Sequence, residues 1–208
     1  MITENDIKID IVGSREMFDD VMAIRRHIFT KEQGIPKKKE FNRNDFCCAH
    51  VIAYAQKRHR KLPIGTMRIR FFGDCVMFER MAVTKNFRKK NVAESIMQYG
   101  FKYSALKGFH AVCGMCKKEL LPRWQKCGYH EMENKEHVHI NGMELIPICR
   151  DLEPDPKALS MISDFYLLAA EEGHWYDEPS KTLENQKSSR INKVLLEIKK
   201  IKQKLFNY

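Results

Sequence analysis

Residues Phe78 to Gln98, FERMAVTKNFRKKNVAESIMQ, constrain this 208-residue chain more than any other stretch. Val76, Phe78, Met81 and Val83 form an apolar, strand-like segment around Glu79 and Arg80. A basic turn with Arg88, Lys89 and Lys90 follows, and then Val92, Ser95, Ile96 and Tyr99 recur at helical spacing. A strand, a cationic turn and a helix start together make an anion site. The first-turn N–H groups of a helix lack intrahelical partners, and the helix dipole favours negative charge there.

The segments before it read as strands and one helix. Ile7 to Val12 alternates apolar and polar residues and ends at Gly13-Ser14, with Ser14 placed to cap a helix traced by Phe18, Val21, Met22, Ile24, Arg25 and Ile28. KEQGIPKKKEFNRND is a loop punctuated by Gly34 and Pro36 with a lysine triplet, which reads either as a solvated connection or, from its length, as a functional lid or binding segment. Ala49–Ala55 and Ile64–Phe72 are the next strands, and Gly73-Asp74 signals a hairpin into Cys75–Thr84. After the helix that runs to about Leu106, Phe109–Cys113 is a short strand expected to lie parallel to the one before the helix. A short helix at Lys117–Cys127 and two strands, Tyr129–His137 and Ile140–Cys149, complete the pattern.

Beyond Cys149 the composition changes. DLEPDPK is an acidic, proline-marked boundary, which divides the chain into a domain at about 5–150 and a helical extension at 151–208. Within the extension, the pattern predicts a helix at Ala158–Glu172 and a basic amphipathic helix at Ile191–Leu205. So short a helix needs a surface for its apolar stripe, namely the body, a second copy or another partner. Residues 181–208 hold eight Lys/Arg against two acids, residues 151–180 one Lys against eight acids, and residues 1–150 therefore carry +11 of the net +10. A positive body attracts nucleic acid, acidic proteins or polyanionic cofactors alike.

No window approaches a membrane span and MITENDIKID lacks signal-peptide order, so the expectation is a cytoplasmic protein with no membrane contact. The seven cysteines are odd in number and several lie in apolar segments, which suits reduced thiols. Cys113-x-x-Cys116 with Cys127-x-x-His130 has zinc-like spacing, but strand residues three apart point to opposite faces, so no metal is expected.

The order β-α-loop-β-β-β-α-β-α-β-β, with an anion-binding turn after the fourth strand, resembles the GCN5-related N-acetyltransferase (GNAT) superfamily. RRHIFTKEQGIP is similar to the R-x-x-V-F-V-x-E-Q-G-I-P segment of one bacterial branch, and IGTMRIR, FERMAV and RWQKCGY fall where that branch has related motifs. The resemblance spans about residues 7–150 and implies an α/β fold with a mixed, mostly antiparallel sheet. The fourth and fifth strands splay apart, and helices flank the sheet. It implies an acyl-CoA-dependent N-acyltransferase with acetyl-CoA as co-substrate and an amine-bearing small molecule or peptide as acceptor. By the same resemblance Met81, Ala82 and Val83 contact the pantetheine arm, and Arg88, Lys89, Lys90, Asn91, Val92, Ala93 and Glu94 cradle the pyrophosphate. Glu79 is the implied catalytic base or water-organiser, since an ammonium must lose its proton before attacking a thioester. The alternative for Glu79 is an ion pair with Arg68 or Arg25.

Two positions depart from the family pattern. Asn91 stands where a glycine is usual, and Asn tolerates left-handed backbone better than most residues. Trp124 stands where many relatives have the tyrosine that protonates the leaving thiolate, and indole cannot act as that acid. Arg26, Phe29, Asp45, Arg68 and the Glu79-Arg80 pair also resemble the acyl-homoserine-lactone and N-acyl amino acid synthases, which take their acyl group from an acyl-carrier protein. A third reading is a non-catalytic module of this fold whose basic C-terminal helix engages a partner, with nucleic acid disfavoured.

Overall fold

A computed structural model describes residues 6–57, 60–88, 90–140 and 142–177. The chain divides into two compact units, Met1–Met161 and Ile162–Tyr208. The first unit is built on strands β1 (Ile7–Ile11), β2 (Cys48–Lys57), β3 (Arg60–Phe72), β4 (Cys75–Val83), β5 (Ala111–Cys116), β6 (His130–Glu131), β7 (Val138–Ile140) and β8 (Met143–Asp151). They form one sheet in the order β1-β2-β3-β4-β5-β8-β6, with β7 paired to β8. All pairings are antiparallel except β4 with β5. This is the mixed, mostly antiparallel α/β sheet that the motif order predicts.

One face of the sheet is covered by helix α1 (Arg15–Arg25), capped by Ser14, whose side chain accepts the Met17 N–H. Arg26–Glu32 continues it as a π-helical segment, with Gln33 N–H reaching back to Ile28 O. The predicted loop after Glu32 is in fact a short helix α2 (Lys37–Glu40) and a 3-10 turn at Arg43–Phe46, the latter closed by a reciprocal cap between Asn42 and Asp45. Helix α3 (Val92–Leu106) covers the other face. It lies so close that a methyl group on Gly100 would come within 2.5 Å of Met67 Cε and 2.8 Å of Phe78 Cζ. Ile64, Met67, Ile69, Val76, Phe78, Ile96 and Phe101 are buried there, each contributing roughly 1.5–3 kcal/mol of hydrophobic stabilisation at full burial.

The late elements differ from the sequence pattern. The helix predicted at Lys117–Cys127 is split into a 3-10 turn and α4 (Leu121–Gln125), with Pro122 in the first turn, where its missing N–H does no harm. The strand predicted at Tyr129–His137 shrinks to β6. Met132 N–H still bonds Pro147 O, but the chain then turns, with Lys135 N–H on Met132 O.

In the second unit the described helix is α5 (Phe165–Leu168), not the longer Ala158–Glu172 of the sequence reading. Two bonds explain the difference. Leu159 N–H is held by Leu106 O, and the Asp164 carboxylate takes the Tyr166 N–H as an N-cap, so the helix starts late. The amphipathic segment Ile191–Leu205 lies outside the described residues. Among the described residues no helix is long and apolar enough to cross a membrane.

Candidate active site

Strand β4 changes partners partway along. It pairs with β5 only at Cys75–Ala111, Val76–Val112 and Met77–Cys113, and beyond these the two strands part. On its other side, Arg68 faces Glu79 but Thr66 faces Ala82, so β4 carries one residue more than β3 between these pairs. That β-bulge falls at Arg80-Met81, and Arg80 adopts a left-handed φ of 54°. Thr84 N–H donates to Ile64 O, which directs the backbone groups of Val83, one residue earlier, to the open edge.

The opening between the strands is a cavity of about 710 Å³. Met81, Ala82 and Val83 line it from β4, and Val92, Ala93, Glu94 and Met97 from the start of α3. Ile28, Glu32 and Gln33 close it from the π-helical segment, and Leu120, Arg123, Trp124 and Cys127 from the far side. The chain enters α3 through Asn91, the N-cap, at φ 54° and ψ 9°. The left-handed conformation that a glycine would adopt is therefore taken by asparagine, as its chemistry allows.

Of the residues expected to hold the cofactor, Met81, Ala82, Val83, Arg88, Val92, Ala93 and Glu94 come together at this cavity. Lys90 is not in its lining. Its ammonium lies 5.1 Å from the Phe87 ring centroid. Lys89 lies outside the described residues. Arg88 is already engaged: its Nε donates to Val83 O at 2.9 Å and its Nη2 to Glu32 Oε2 at 2.5 Å. That hydrogen bond, together with the Arg88 charge, holds the Glu32 carboxyl below its ordinary pKa. Across the mouth, Arg123 Nη2 donates to Glu94 Oε1 at 2.7 Å. Burial raises the Glu94 pKa, but this bond and the Arg123 charge outweigh it.

Glu79 lies two residues before Met81, outside the cavity lining, at the end of a charged cluster under α1. Arg68 donates from Nε and Nη2 to Glu79 Oε1, at 3.0 and 2.8 Å, and from Nη1 to Asp45 Oδ1 at 2.6 Å. Arg25, expected as a possible partner of Glu79, instead holds Glu40 and Asp45, at 2.6 and 2.5 Å. Arg80 Nε stands 2.8 Å from Glu40 Oε2, an ion pair that ties the bulge to α2. Arg25, Glu40, Asp45 and Arg68 are buried. Burial raises the Asp45 pKa, yet bonds from Arg25, the Asn42 N–H and Arg68 leave it below the ordinary value. Glu79 Oε2 makes no hydrogen bond among the described residues, and Arg80 Nη1 is 3.9 Å from it.

Trp124 lines the cavity and meets the Tyr129 ring edge-on, with centroids 5.2 Å apart. The Tyr129 hydroxyl is buried without a hydrogen-bond partner, and burial pushes its pKa far above the ordinary tyrosine value. It is a packing residue and cannot replace the absent acid. The four zinc-like residues do not converge: Cys127 faces the cavity, whereas His130 Nε2 lies 3.0 Å from Cys149 Sγ. Among the described residues no group of three or more His, Cys, Asp or Glu side chains is arranged to hold a metal ion.

Sequence reasoning missed Glu40, Glu32 and the Arg123–Glu94 bridge. Glu32 stood in the quoted EQGIP segment, but only the π-helical turn brings it to Arg88.

The sequence pattern of the acetyltransferase (GNAT) family matches residues 16–129. A candidate acetyltransferase of Bacillus subtilis (strain 168) is 28% identical over 123 residues, covering 58% of this chain and 77% of that protein. The crystal structure of a candidate N-acetyltransferase from Lactobacillus plantarum superposes with a TM-score of 0.65 at 22% identity, over 71% of this chain and 99% of that one. The CoA-dependent acyl-homoserine lactone synthase BjaI shares the fold at a TM-score of 0.57 and 14% identity, over 71% of this chain and 84% of that one. The fold and the site therefore define an acyltransferase of the splayed-sheet kind. The chain belongs to the acetyltransferase (GNAT) family, whose enzymes use acyl-CoA co-substrates and amine acceptors.

Proposed function

We propose that this enzyme transfers an acetyl group from acetyl-CoA to a primary amine by direct attack. The observation that carries the reading is the parting of β4 from β5 after Met77 and Cys113, which opens the cavity directly onto the left-handed turn at Asn91 and the start of α3. The thioester supplies an activated acyl carbonyl. The Val83 N–H at the open edge of β4 is the donor offered to the pantetheine arm, since Val83 O is held by Arg88, and the bulge at Arg80-Met81 interrupts the β3–β4 ladder beside the thioester. The N–H groups of residues 92–94, with Arg88 and Lys90, hold the pyrophosphate. Arg88 then exchanges the Glu32 carboxylate for phosphate.

Glu79 removes the ammonium proton, directly or through a water, with Oε2 as the accepting atom because Arg68 occupies Oε1. Since Trp124 carries no acidic proton and Tyr129 is buried, the departing thiolate takes its proton from water.

Calorimetric titration with acetyl-CoA tests the reading. Saturable binding is expected, together with its loss in the double variant Arg88→Glu/Lys90→Glu. No binding at millimolar concentration defeats the proposal. Binding without CoA release across an amine panel points to a non-catalytic module. A second donor, an acyl-carrier protein, is favoured by the +11 carried by residues 1–150, because such carriers are acidic. Turnover with an acyl-carrier thioester and none with acyl-CoA would establish it.

A further inference from the structure

The charged cluster has a surplus of arginine, and the surplus is spatially organised. Four guanidinium groups, Arg25, Arg68, Arg70 and Arg80, meet three carboxylates, Glu40, Asp45 and Glu79. The two buried arginines are spent: Arg25 bonds Glu40 Oε1, Glu40 O and Asp45, and Arg68 bonds Glu79, Asp45 and Asn42. The other two are spent only in part: Arg80 pairs through Nε with Glu40 Oε2 at 2.8 Å and donates from Nη2 to Lys39 O at 3.5 Å, which leaves Nη1. Arg70 stands one pleat beyond Arg68 on the same face of β3, its side chain 28% exposed. Its Nε is 3.7 Å from Glu79 Oε1, too far for a hydrogen bond, and the guanidinium lies over the Phe72 ring at 4.7 Å. Arg80, 29% exposed, leaves Nη1 at 3.9 Å from Glu79 Oε2. The Arg70 guanidinium is thus a vacant bidentate donor for an oxyanion, and Arg80 adds its Nη1 group.

These vacancies stand at the two oxygens of the Glu79 carboxylate, Arg80 beside Oε2, which we assign to the reacting amine, and Arg70 beside Oε1. An ammonium group at Glu79 Oε2 would have Arg80 on one side and, across Oε1, Arg70 on the other. A simple amine or polyamine gains nothing from that arrangement and is repelled by the surplus charge. A molecule with both an ammonium and an oxyanion satisfies both halves.

We infer that the acceptor is a zwitterionic amine, one that carries a carboxylate or phosphate beside the amine to be acylated, with Arg70 and Arg80 holding the oxyanion. This rests on the acyltransferase reading above and narrows its acceptor. The reaction is acyl transfer to nitrogen. The ammonium gives one proton to Glu79, the free amine nitrogen bonds the thioester carbonyl carbon, the carbon–sulfur bond breaks, and the second proton that the nitrogen sheds in becoming an amide passes through water to the thiolate.

The test compares matched acceptors with acetyl-CoA as donor and free thiol as the readout. A short series of ω-amino acids is run against the corresponding amides, and phosphoethanolamine against ethanolamine, so that the two arms separate carboxylate from phosphate. The acidic member of at least one pair is expected to have a kcat/KM about tenfold to a hundredfold above its neutral partner, the range of a charge-assisted pair. In Arg70→Ala that ratio collapses towards one through a rise in KM, and Arg70→Lys restores part of it. CoA release with equal or better use of the neutral members overturns the inference and leaves acyl transfer standing. A preference for the acidic members that survives in both Arg70→Ala and Arg80→Ala also overturns it. No release with any acceptor, in a protein that binds acetyl-CoA, defeats the acyl-transfer reading and this one with it.

Discussion

Arg68 commits two of its N–H groups, on Nε and Nη2, to a single oxygen of Glu79, and so fixes which oxygen of that carboxylate can act. A glutamate held in this way has little freedom to swing, and its other oxygen, Oε2, is the one left for the acceptor in the proposed reaction. Glu79→Gln keeps the shape and removes the proposed base. Its kcat is expected to fall by about a hundredfold or more, with little change in acetyl-CoA affinity. A melting point that drops while steady-state turnover persists would make Glu79 part of the scaffold instead.

Glu40 is wholly buried between Arg25 and Arg80. Removing one member of such a pair strands a charge away from water. Glu40→Gln is therefore expected to cost about 3–5 kcal/mol in urea unfolding. Arg25→Met/Glu40→Leu, which removes charge from both ends of one bond, should cost less than the sum of the two single changes.

His50 should make the protein lose stability on mild acidification. Burial lowers its pKa from the ordinary 6.5, opposed by its bond to the Asp45 carbonyl and assisted by the nearby Arg25 and Arg68 charges. The unfolded chain then binds a proton near pH 6.5 that the folded one refuses, so this contribution is lost as pH falls below 6.5. Asp45, with its pKa held below 3.8, adds a second loss at more acid pH, as the native carboxylate is protonated. His137 acts in the opposite sense, since bonds to Glu144 and Glu131 raise its pKa. Melting curves of His50→Leu and wild type between pH 7 and 5 separate the two, and their difference should shrink as pH falls. A difference independent of pH refutes the assignment.

Asn91 holds a left-handed conformation at the entrance to α3. Asn91→Gly should preserve acetyl-CoA affinity. Asn91→Val should lose about 1–2 kcal/mol of stability and bind the cofactor more weakly. Equal affinity in the two variants would separate the turn from the cofactor.

Gly100 tests the seating of the same helix. Alanine favours helix intrinsically, but its methyl group would press on Met67 and the Phe78 ring. Gly100→Ala is expected to destabilise by about 1–3 kcal/mol in thermal or denaturant unfolding.

Much of this architecture is legible in the sequence because it is local. Period-two runs mark β1 to β4, the basic turn marks the start of α3, and Asn91 announces its own backbone geometry. The cavity-lining residues Met81 to Val83, Arg88 and Val92 to Glu94 are named through the family resemblance, and they can be carried over because they sit in that one continuous stretch. What is not legible depends on residues distant in sequence. Glu40 sits in a lysine-rich run that reads as solvated, and only the fold brings Arg25 and Arg80 to it. Glu32 meets Arg88 because a π-helical turn shifts it, and hydrophobic periodicity does not register such an insertion. The split between β6 and β7 escaped for a similar reason, since short edge segments carry too few residues to show a period.

The bulge at Arg80 means that β4 is two half-strands of opposite parity joined end to end. Odd-numbered side chains up to Glu79 share a face with Arg68, and after the extra residue it is Ala82 that shares a face with Thr66. Apolar residues at 76 and 78 and then at 81 and 83 record the same change of phase. Deleting a single residue at the bulge would restore one continuous alternation. It would also turn either the carboxylate end or the cavity end of the strand inside out, so the acid-bearing half and the cavity-lining half coexist on one strand only because their phases differ.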